Sequence, residues 1–395
     1  MKLRLKPVAM FKKLVRCAAH LALVAGVALI ASGAALAQGT IKIGFHAALT
    51  GPAAADGNGG LAAAKIAVED FNKAGGLNGR KVELLTYDDQ GKPDQAVPVA
   101  NRMLGDGVKA VISTGFSGPS KAAAPVFQKG KVPYIAAIAF APEITRSGNY
   151  VFRTSSVGEV QGLAGAKVVA DMVKKKRVVM LTVKNDFGKT LSDGFKEGAA
   201  KFGLTIVKEY EYGMADRQFG PVIASIKADN PEVIYAIGQF FSVGPFVSQL
   251  RAAGVTAQVV GPEAMSSKKF IDIAGLSAEG VIITNVIDWS SKAPQITQFL
   301  AEYEKTQKDQ AEAASTSTYV AATVLLEAIK AAKSDDSDKI RDALEKTNLM
   351  TAAGKISFNG LHEVRKSFPV SIVKNGSWTG NGLIDDPVLL APPEK

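Results

Sequence analysis

Apolar residues along this chain fall into short continuous runs, separated by longer stretches in which they recur every three or four positions. The runs at 41–49, 82–88, 110–114, 133–138 and 151–154 suit strands covered on both faces, as in a parallel sheet. Between them, 60–73, 93–104 and 120–128 carry helical spacing. A second block repeats the alternation. Helices over 159–174, 191–201, 219–228 and 243–252 interleave with strands at 178–183, 205–212, 233–237, 258–260 and 280–286. Three helices follow at 295–307, 318–332 and 338–346, and strands at 355–358 and 369–374 end the pattern. Such alternation predicts an α/β protein built on doubly wound parallel sheets. A helix, a glycine stop and entry to a strand occur both at Phe71 to Leu77 and at Ala200 to Leu204, so the two blocks resemble each other. No Pro- or Ser-rich linker parts them. Two lobes with a cleft at the carboxyl ends of the strands is the expected arrangement.

The first 37 residues stand outside this alternation. Lys2, Arg4, Lys6, Lys12, Lys13 and Arg16 precede an apolar stretch over 18–34, and Ala35-Leu36-Ala37 supplies the small residues that a signal peptidase needs. The expectation is a cleavable signal peptide over 1–37 and export to the periplasm, with Met10 an alternative start. A membrane anchor fits less well, because the core is short and no basic stop-transfer patch follows. Arg16 before Cys17 does not suit a lipoprotein site. The leader also changes the charge. The full chain has 47 basic and 37 acidic residues, net +10; without the six leader bases it has 41 against 37, net +4. With no run of bases interleaved with aromatics, this excludes nucleic acid and fits mild attraction to anionic solutes or surfaces. Lys174 to Arg177, the densest basic cluster, reads as a solvated helix end. Cys17 is the single cysteine, so the mature chain has no disulfide, thiol nucleophile or zinc-thiolate site.

Candidate chemistry sits at the strand ends. Thr50-Gly51-Pro52 and Asp56 to Gly60 form a glycine-rich segment. Its letters match a dinucleotide fingerprint, but the glycines begin too far past the strand, so a loop approaching a small ligand is expected. Gly115-Phe116-Ser117-Gly118-Pro119-Ser120 leaves a strand and opens a helix. Free amides and a hydroxyl there suit a carboxylate; plain N-capping by Ser117 or Ser120 is the other reading. Pro119 and the scarcity of histidine (His46 and His362) argue against a serine hydrolase. Gly261-Pro262-Glu263 ends another strand, and Glu263 is either a partner for a ligand ammonium or an ordinary turn glutamate. Asp88-Asp89 reads as strand-end charge before it reads as a metal or acid–base pair. Phe116, Phe140, Phe240 and Phe241 lie on one edge, as core or as a pocket wall. No complete catalytic set, cofactor motif or metal site is present.

These segments resemble, in order and spacing, the type I periplasmic solute-binding proteins of branched-chain amino acid ABC transporters. The matching pieces are Leu49-Thr-Gly-Pro52, Asn72-x-x-Gly75-Gly76-Leu-x-Gly79, Tyr87-Asp-Asp89, Ala141-Pro-Glu-Ile-Thr145, Phe152-Arg-Thr154 and Gly261-Pro-Glu263. The resemblance implies two lobes joined by three crossover segments, with lobe 1 over 38–156 plus 288–352 and lobe 2 over 157–287 plus 353–395. It implies that Ser117 holds a ligand α-carboxylate, Glu263 its ammonium, and Tyr319 closes over it. Asp56 falls where the family has tryptophan, Phe140 where it has threonine, and Gln239 or Phe240 where it has tyrosine. With Ile138, these departures imply an altered side-chain pocket. The implied role is a monomer that binds a branched-chain or aromatic amino acid and delivers it to a membrane permease. Amine-free aromatic or other carboxylates, or a periplasmic sensor role, are the alternatives.

Overall fold

A computed structural model describes residues 39–394; the leader and Cys17 lie outside them. The first sheet is built from β1 (Ile41–Ala47), β2 (Val82–Asp88), β3 (Ala110–Thr114), β4 (Tyr134–Ala136) and β5 (Val151–Arg153). All its pairings are parallel, in the order β2-β1-β3-β4-β5. Helices α1 (Ala54–Lys73), α2 (Pro93–Gly105) and α3 (Ser117–Gly130) connect the first four strands. One face of the sheet packs on α1, the other on α2 and α3. The strands are apolar on both sides because both sides are covered.

The second sheet repeats the plan. Its parallel strands are β6 (Arg177–Val183), β7 (Thr205–Tyr212), β8 (Val233–Ile237), β9 (Gln258–Gly261) and β10 (Ile282–Thr284). They run in the order β7-β6-β8-β9-β10, the same winding as the first sheet. Helices α4 (Gly158–Val168), α5 (Asp186–Phe202), α6 (Gly220–Asp229), α7 (Phe240–Ala252) and α8 (Lys268–Ala274) belong to this lobe. The chain then returns: α9 (Pro294–Gln307), α10 (Ala313–Ala332) and α11 (Ser337–Glu345) pack on lobe 1, and the hairpin of β11 (Asn348–Thr351) and β12 (Gly354–Ser357) follows. Finally β13 (Phe368–Lys374) and β14 (Ser377–Ile384) extend the second sheet antiparallel. Among the described residues, no helix is long and apolar enough to cross a membrane.

The strand–helix alternation holds, with differences that matter for the site. Five helices start earlier than their apolar spacing suggests: α1 at Ala54, α3 at Ser117, α5 at Asp186, α7 at Phe240 and α10 at Ala313. The first turns of α1, α3 and α10 carry small or polar residues, so their apolar period begins only a turn later, whereas α5 and α7 open on Asp186-Phe187 and Phe240-Phe241. The expected glycine-rich loop is therefore the start of α1. Gly57 and Gly60 allow this helix to lie on the ends of its neighbours. A Cβ at Gly57 would stand 1.9 Å from the Ala48 carbonyl oxygen, and one at Gly60 would stand 2.6 Å from the Thr114 hydroxyl. The return to lobe 2 also comes later than residue 353. Ile356 and Val364 still belong to the lobe 1 core, and Phe368 is the first residue in the lobe 2 sheet. The hairpin before the crossing keeps the chain on lobe 1.

Alanine normally stabilises a helix interior by about 1 kcal/mol over glycine. At Gly57 the sign should reverse, with Gly57→Ala destabilising by about 1–3 kcal/mol through overpacking. A urea midpoint at or above that of the wild type would contradict this close approach.

Candidate ligand-binding cleft

In an open α/β sheet with this winding, the crevice for a ligand opens where the chain leaves the first and third strands in opposite directions. Both lobes place that point toward the cleft. In lobe 1, β3 ends at Thr114, the chain turns at Gly115, and Ser117 begins α3. Phe116, the residue before the helix, is extended and gives no side-chain cap. The first-turn amides of Ser117 and Gly118 are therefore free of helical partners. The Ser117 hydroxyl accepts the Phe140 amide at 3.0 Å, which leaves its own hydrogen available to an acceptor.

A buried network holds this turn from behind. Asp89 Oδ2 lies 2.8 Å from His46 Nε2, and His46 Nδ1 lies 3.2 Å from Ser113 Oγ. The Tyr134 hydroxyl stands 2.7 Å from Ser113 Oγ and 3.0 Å from Ser120 Oγ. Ser113 accepts the Gly115 amide and Ser120 donates to the Gly115 carbonyl, so both polar groups of the turn are fixed. Ser113, His46 and Asp89 align like a hydrolase relay, but all three are fully buried. Asp88 ties the neighbouring turn by accepting the Leu49 amide, the Thr50 hydroxyl and the Gln90 amide. The Asp88-Asp89 pair is thus committed to loop structure.

The next wall is the segment 137–141, which carries Ile138 and Phe140. It has no regular structure, so its carbonyls need partners. The buried Arg153 guanidinium supplies them, donating to the Ala139 carbonyl at 2.8 Å and the Ala141 carbonyl at 2.7 Å. Its Nε pairs with Glu363 Oε2 at 2.9 Å. The hydroxyl of Ser155 adds a bond to Ala139 at 3.2 Å.

Lobe 2 supplies the opposite wall. Asn185 caps α5 by accepting the Gly188 amide at 2.8 Å, and this first turn carries Phe187. The Phe187 ring stands 5.6 Å from that of Phe140 across the cleft. Gln239 occupies the cap position of α7, and Glu263 opens a short turn after β9. The lobes also meet through Lys121 and Asp186 at 3.1 Å. Glu312, just before α10, accepts the Ser267 hydroxyl at 2.9 Å and the Lys268 amide at 2.8 Å.

Together these residues enclose an inner pocket of about 40 Å³. Its walls are Asp56, Phe116, Ser117, Ile138, Phe140 and Ala313–Ala314 from lobe 1, with Phe187, Gln239, Glu263, Ala264 and Ser266 from lobe 2. That is room for a few waters or the polar head of a small solute. The pocket opens past Ser117, Phe116, Phe187 and Gln239 into a groove of about 660 Å³ between the lobes. Burial pushes the Glu263 carboxyl up to about 7, although Lys366 behind it acts in the other direction. Burial, with Glu312 nearby, pushes Asp56 up to about 8, while Lys269 opposes. Asp56 keeps some exposed surface, but that surface faces the pocket and an adjoining groove. Burial likewise depresses Lys366, against the pull of Glu263. Its amine has no hydrogen-bond partner among the described residues.

Six of the eight residues singled out in the sequence therefore line one pocket: Asp56, Phe116, Ser117, Ile138, Phe140 and Glu263. The other two do not. Phe240 turns into the lobe 2 core, edge-on to Phe241 at 5.2 Å, and Gln239 takes the wall position. Tyr319 stacks on Phe299 at 4.2 Å and borders a separate depression with Asp70, Phe71 and Thr323. It lies more than a turn beyond the part of α10 that reaches the cleft. Sequence reasoning missed Phe187, Ser266, Ala313, Ala314 and the Lys366 amine. The Asn185-Asp186 cap signal after β6 marks where Phe187 sits.

Residues 40–376 match the family model described as periplasmic binding protein. The Leu/Ile/Val-binding protein of Escherichia coli K12 is 30% identical over 367 residues, covering 92% of this chain and 98% of that protein. A Leu/Ile/Val-binding protein homolog of Brucella melitensis is 33% identical over 329 residues, covering 82% and 89%. The chain belongs to the periplasmic binding protein family, among relatives of the Leu/Ile/Val-binding proteins. The crystal structure of a leucine-binding protein from Thermotoga maritima superposes with a TM-score of 0.83 at 27% identity, covering 88% of this chain and 99% of that one. The fold is thus that of a type I periplasmic binding protein, and the family is one of solute binders and not of enzymes. Two acids of this binding protein, Asp56 and Glu263, line the pocket between its lobes.

Those groups predict a pH dependence. An acid whose pKa is raised on folding contributes in full below its unfolded value, and the contribution is lost as pH rises to the folded one. The window runs from 3.8 to about 8 for Asp56 and from 4.5 to about 7 for Glu263. The melting temperature of the ligand-free protein should fall between roughly pH 5 and 8. Asp56→Asn should flatten that slope; a slope identical to the wild type would contradict the burial of Asp56.

Proposed function

We propose that this protein binds an amino acid between Ser117 and Glu263 and delivers it, as a monomer in the periplasm, to the membrane permease of an ABC importer. Export would rest on the leader over 1–37. One observation carries the reading: free helix-start amides and a hydroxyl on lobe 1, and a buried carboxylate on lobe 2, face the same small pocket. The first set suits a carboxylate and the second an ammonium. Relatives named for leucine, isoleucine and valine support an amino acid. Only a closed cleft engages both ends of such a ligand, so binding shifts the population toward closure. The Phe140–Phe187 contact and the bonds from Glu312 to Ser267 and Lys268 hold the lobes together in that state. The permease then recognises the closed shape.

A second reading has its own support. The buried Lys366 amine is already a potential partner for Glu263, although burial depresses its pKa. The site would then accept a carboxylate without an amine, held at Ser117 among the aromatic rings.

Titration calorimetry with Glu263→Gln separates the two. Removing one partner of a buried charge pair costs about 2–5 kcal/mol, or roughly 30-fold or more in affinity. That loss is expected for amino acids, with little change for benzoate. Amino-acid affinity equal to the wild type would sink the zwitterion reading.

A further inference from the structure

Two charged side chains line the inner pocket, and both are acids: Asp56 from lobe 1 and Glu263 from lobe 2. The zwitterion reading uses only Glu263. Asp56 stands in the first turn of α1, and what acts on its carboxyl is burial, the Glu312 carboxylate and the opposing charge of Lys269, with no hydrogen bond among these influences. A third acceptor has no partner either. The Gln239 side chain, 2% exposed, lines the same pocket with its Oε1 unbonded among the described residues. Phe116, Phe140 and Phe187 complete the wall, and aromatic faces attract cations. No lysine, arginine or histidine lines the pocket. A zwitterion with an apolar side chain brings no net charge. Closing the lobes over it leaves Asp56 to keep its proton, because a carboxylate without a close cation in a desolvated site neutralises.

We propose that the solute is an amino acid with a second amino- or guanidinium-type cation, net charge +1, and that Asp56 selects it. This deepens the amino-acid reading and rests on it. The α-carboxylate meets Ser117 and the α-ammonium meets Glu263. The side-chain cation meets Asp56, with the aromatic rings and Gln239 Oε1 around it. Asp56 also borders a groove of about 310 Å³ that passes Lys269, Tyr303 and Gln307, so longer side chains have space beyond the carboxylate. The cation replaces the proton that Asp56 would otherwise keep in a desolvated site, so binding releases a proton.

The experiment is calorimetric titration of the mature protein near pH 7 with L-ornithine, L-lysine, L-arginine, L-leucine and benzoate, in two buffers of different ionisation enthalpy. At least one cationic amino acid should bind about tenfold or more tighter than leucine, with net proton release. Asp56→Asn, shown to be folded by its melting curve, should weaken that ligand at least about tenfold more than it weakens leucine. Leucine binding tighter than every cationic amino acid overturns the inference and leaves the Ser117–Glu263 reading intact. Binding of benzoate alone overturns both. A cationic preference that survives Asp56→Asn and Asp56→Ser, without proton release, removes Asp56 as the selector and overturns the inference.

Discussion

The buried Arg153 guanidinium is the interaction on which the cleft depends. A buried charge must be paired and its donors satisfied, or the fold loses several kcal/mol. Arg153 meets that demand with Glu363 and with the carbonyls of Ala139 and Ala141. It stands at the end of β5, where the chain first leaves lobe 1, while Glu363 stands where the chain leaves it for the last time. A single ion pair thus joins two of the three crossings. The same guanidinium shapes the segment that carries Ile138 and Phe140, which links hinge geometry to pocket geometry. Arg153 thus ties the crossings to the pocket wall formed by Ile138 and Phe140.

The pocket is assembled from helix beginnings. Ser117 opens α3, Gln239 precedes α7, Phe187 sits in the first turn of α5, and Ala313 opens α10. Helix starts offer unpaired amides and a partial positive charge, so the cleft is suited to an anionic head. Of the two acids, Asp56 stands in the first turn of α1 and Glu263 in the short turn after β9. The cleft thus combines helix-start donors, two carboxylates and aromatic rings.

Much of this was legible in the sequence. The strand runs and helical periods show the two-lobe α/β plan, because burial on both faces of a sheet leaves a plain apolar signature. Ser117 and Glu263 stand out because they follow strand ends in turn-forming sequence. The helix starts were less legible. The first turns of α1, α3 and α10 lack the apolar spacing that marks a helix, so α1 looked like a glycine loop until Gly57 and Gly60 were placed against Ala48 and Thr114. Phe240 and Gln239 show a related difficulty. Adjacent residues at a helix cap point in different directions, and only the backbone decides which of them reaches the pocket. Tyr319 and Lys366 depend on how α10 and the last crossing pack, which no local pattern encodes. Strands β11 and β14 are short or sit at an edge, where exposed faces blur the apolar signal.

The interleaving of the chain has a consequence for how the protein is made. Lobe 1 needs α10 and the β11–β12 hairpin to cover its core, and lobe 2 needs β13 beside β10. Neither lobe can be completed from the part of the chain synthesised first. The amino-terminal sheet must wait for residues beyond 313, and the second sheet must wait for residues beyond 368. Completing both cores thereby takes residues from nearly the whole described chain. Until those residues are present, each sheet keeps a face or an edge uncovered. The crossings that shape the cleft therefore also make the two cores depend on each other's stretch of sequence.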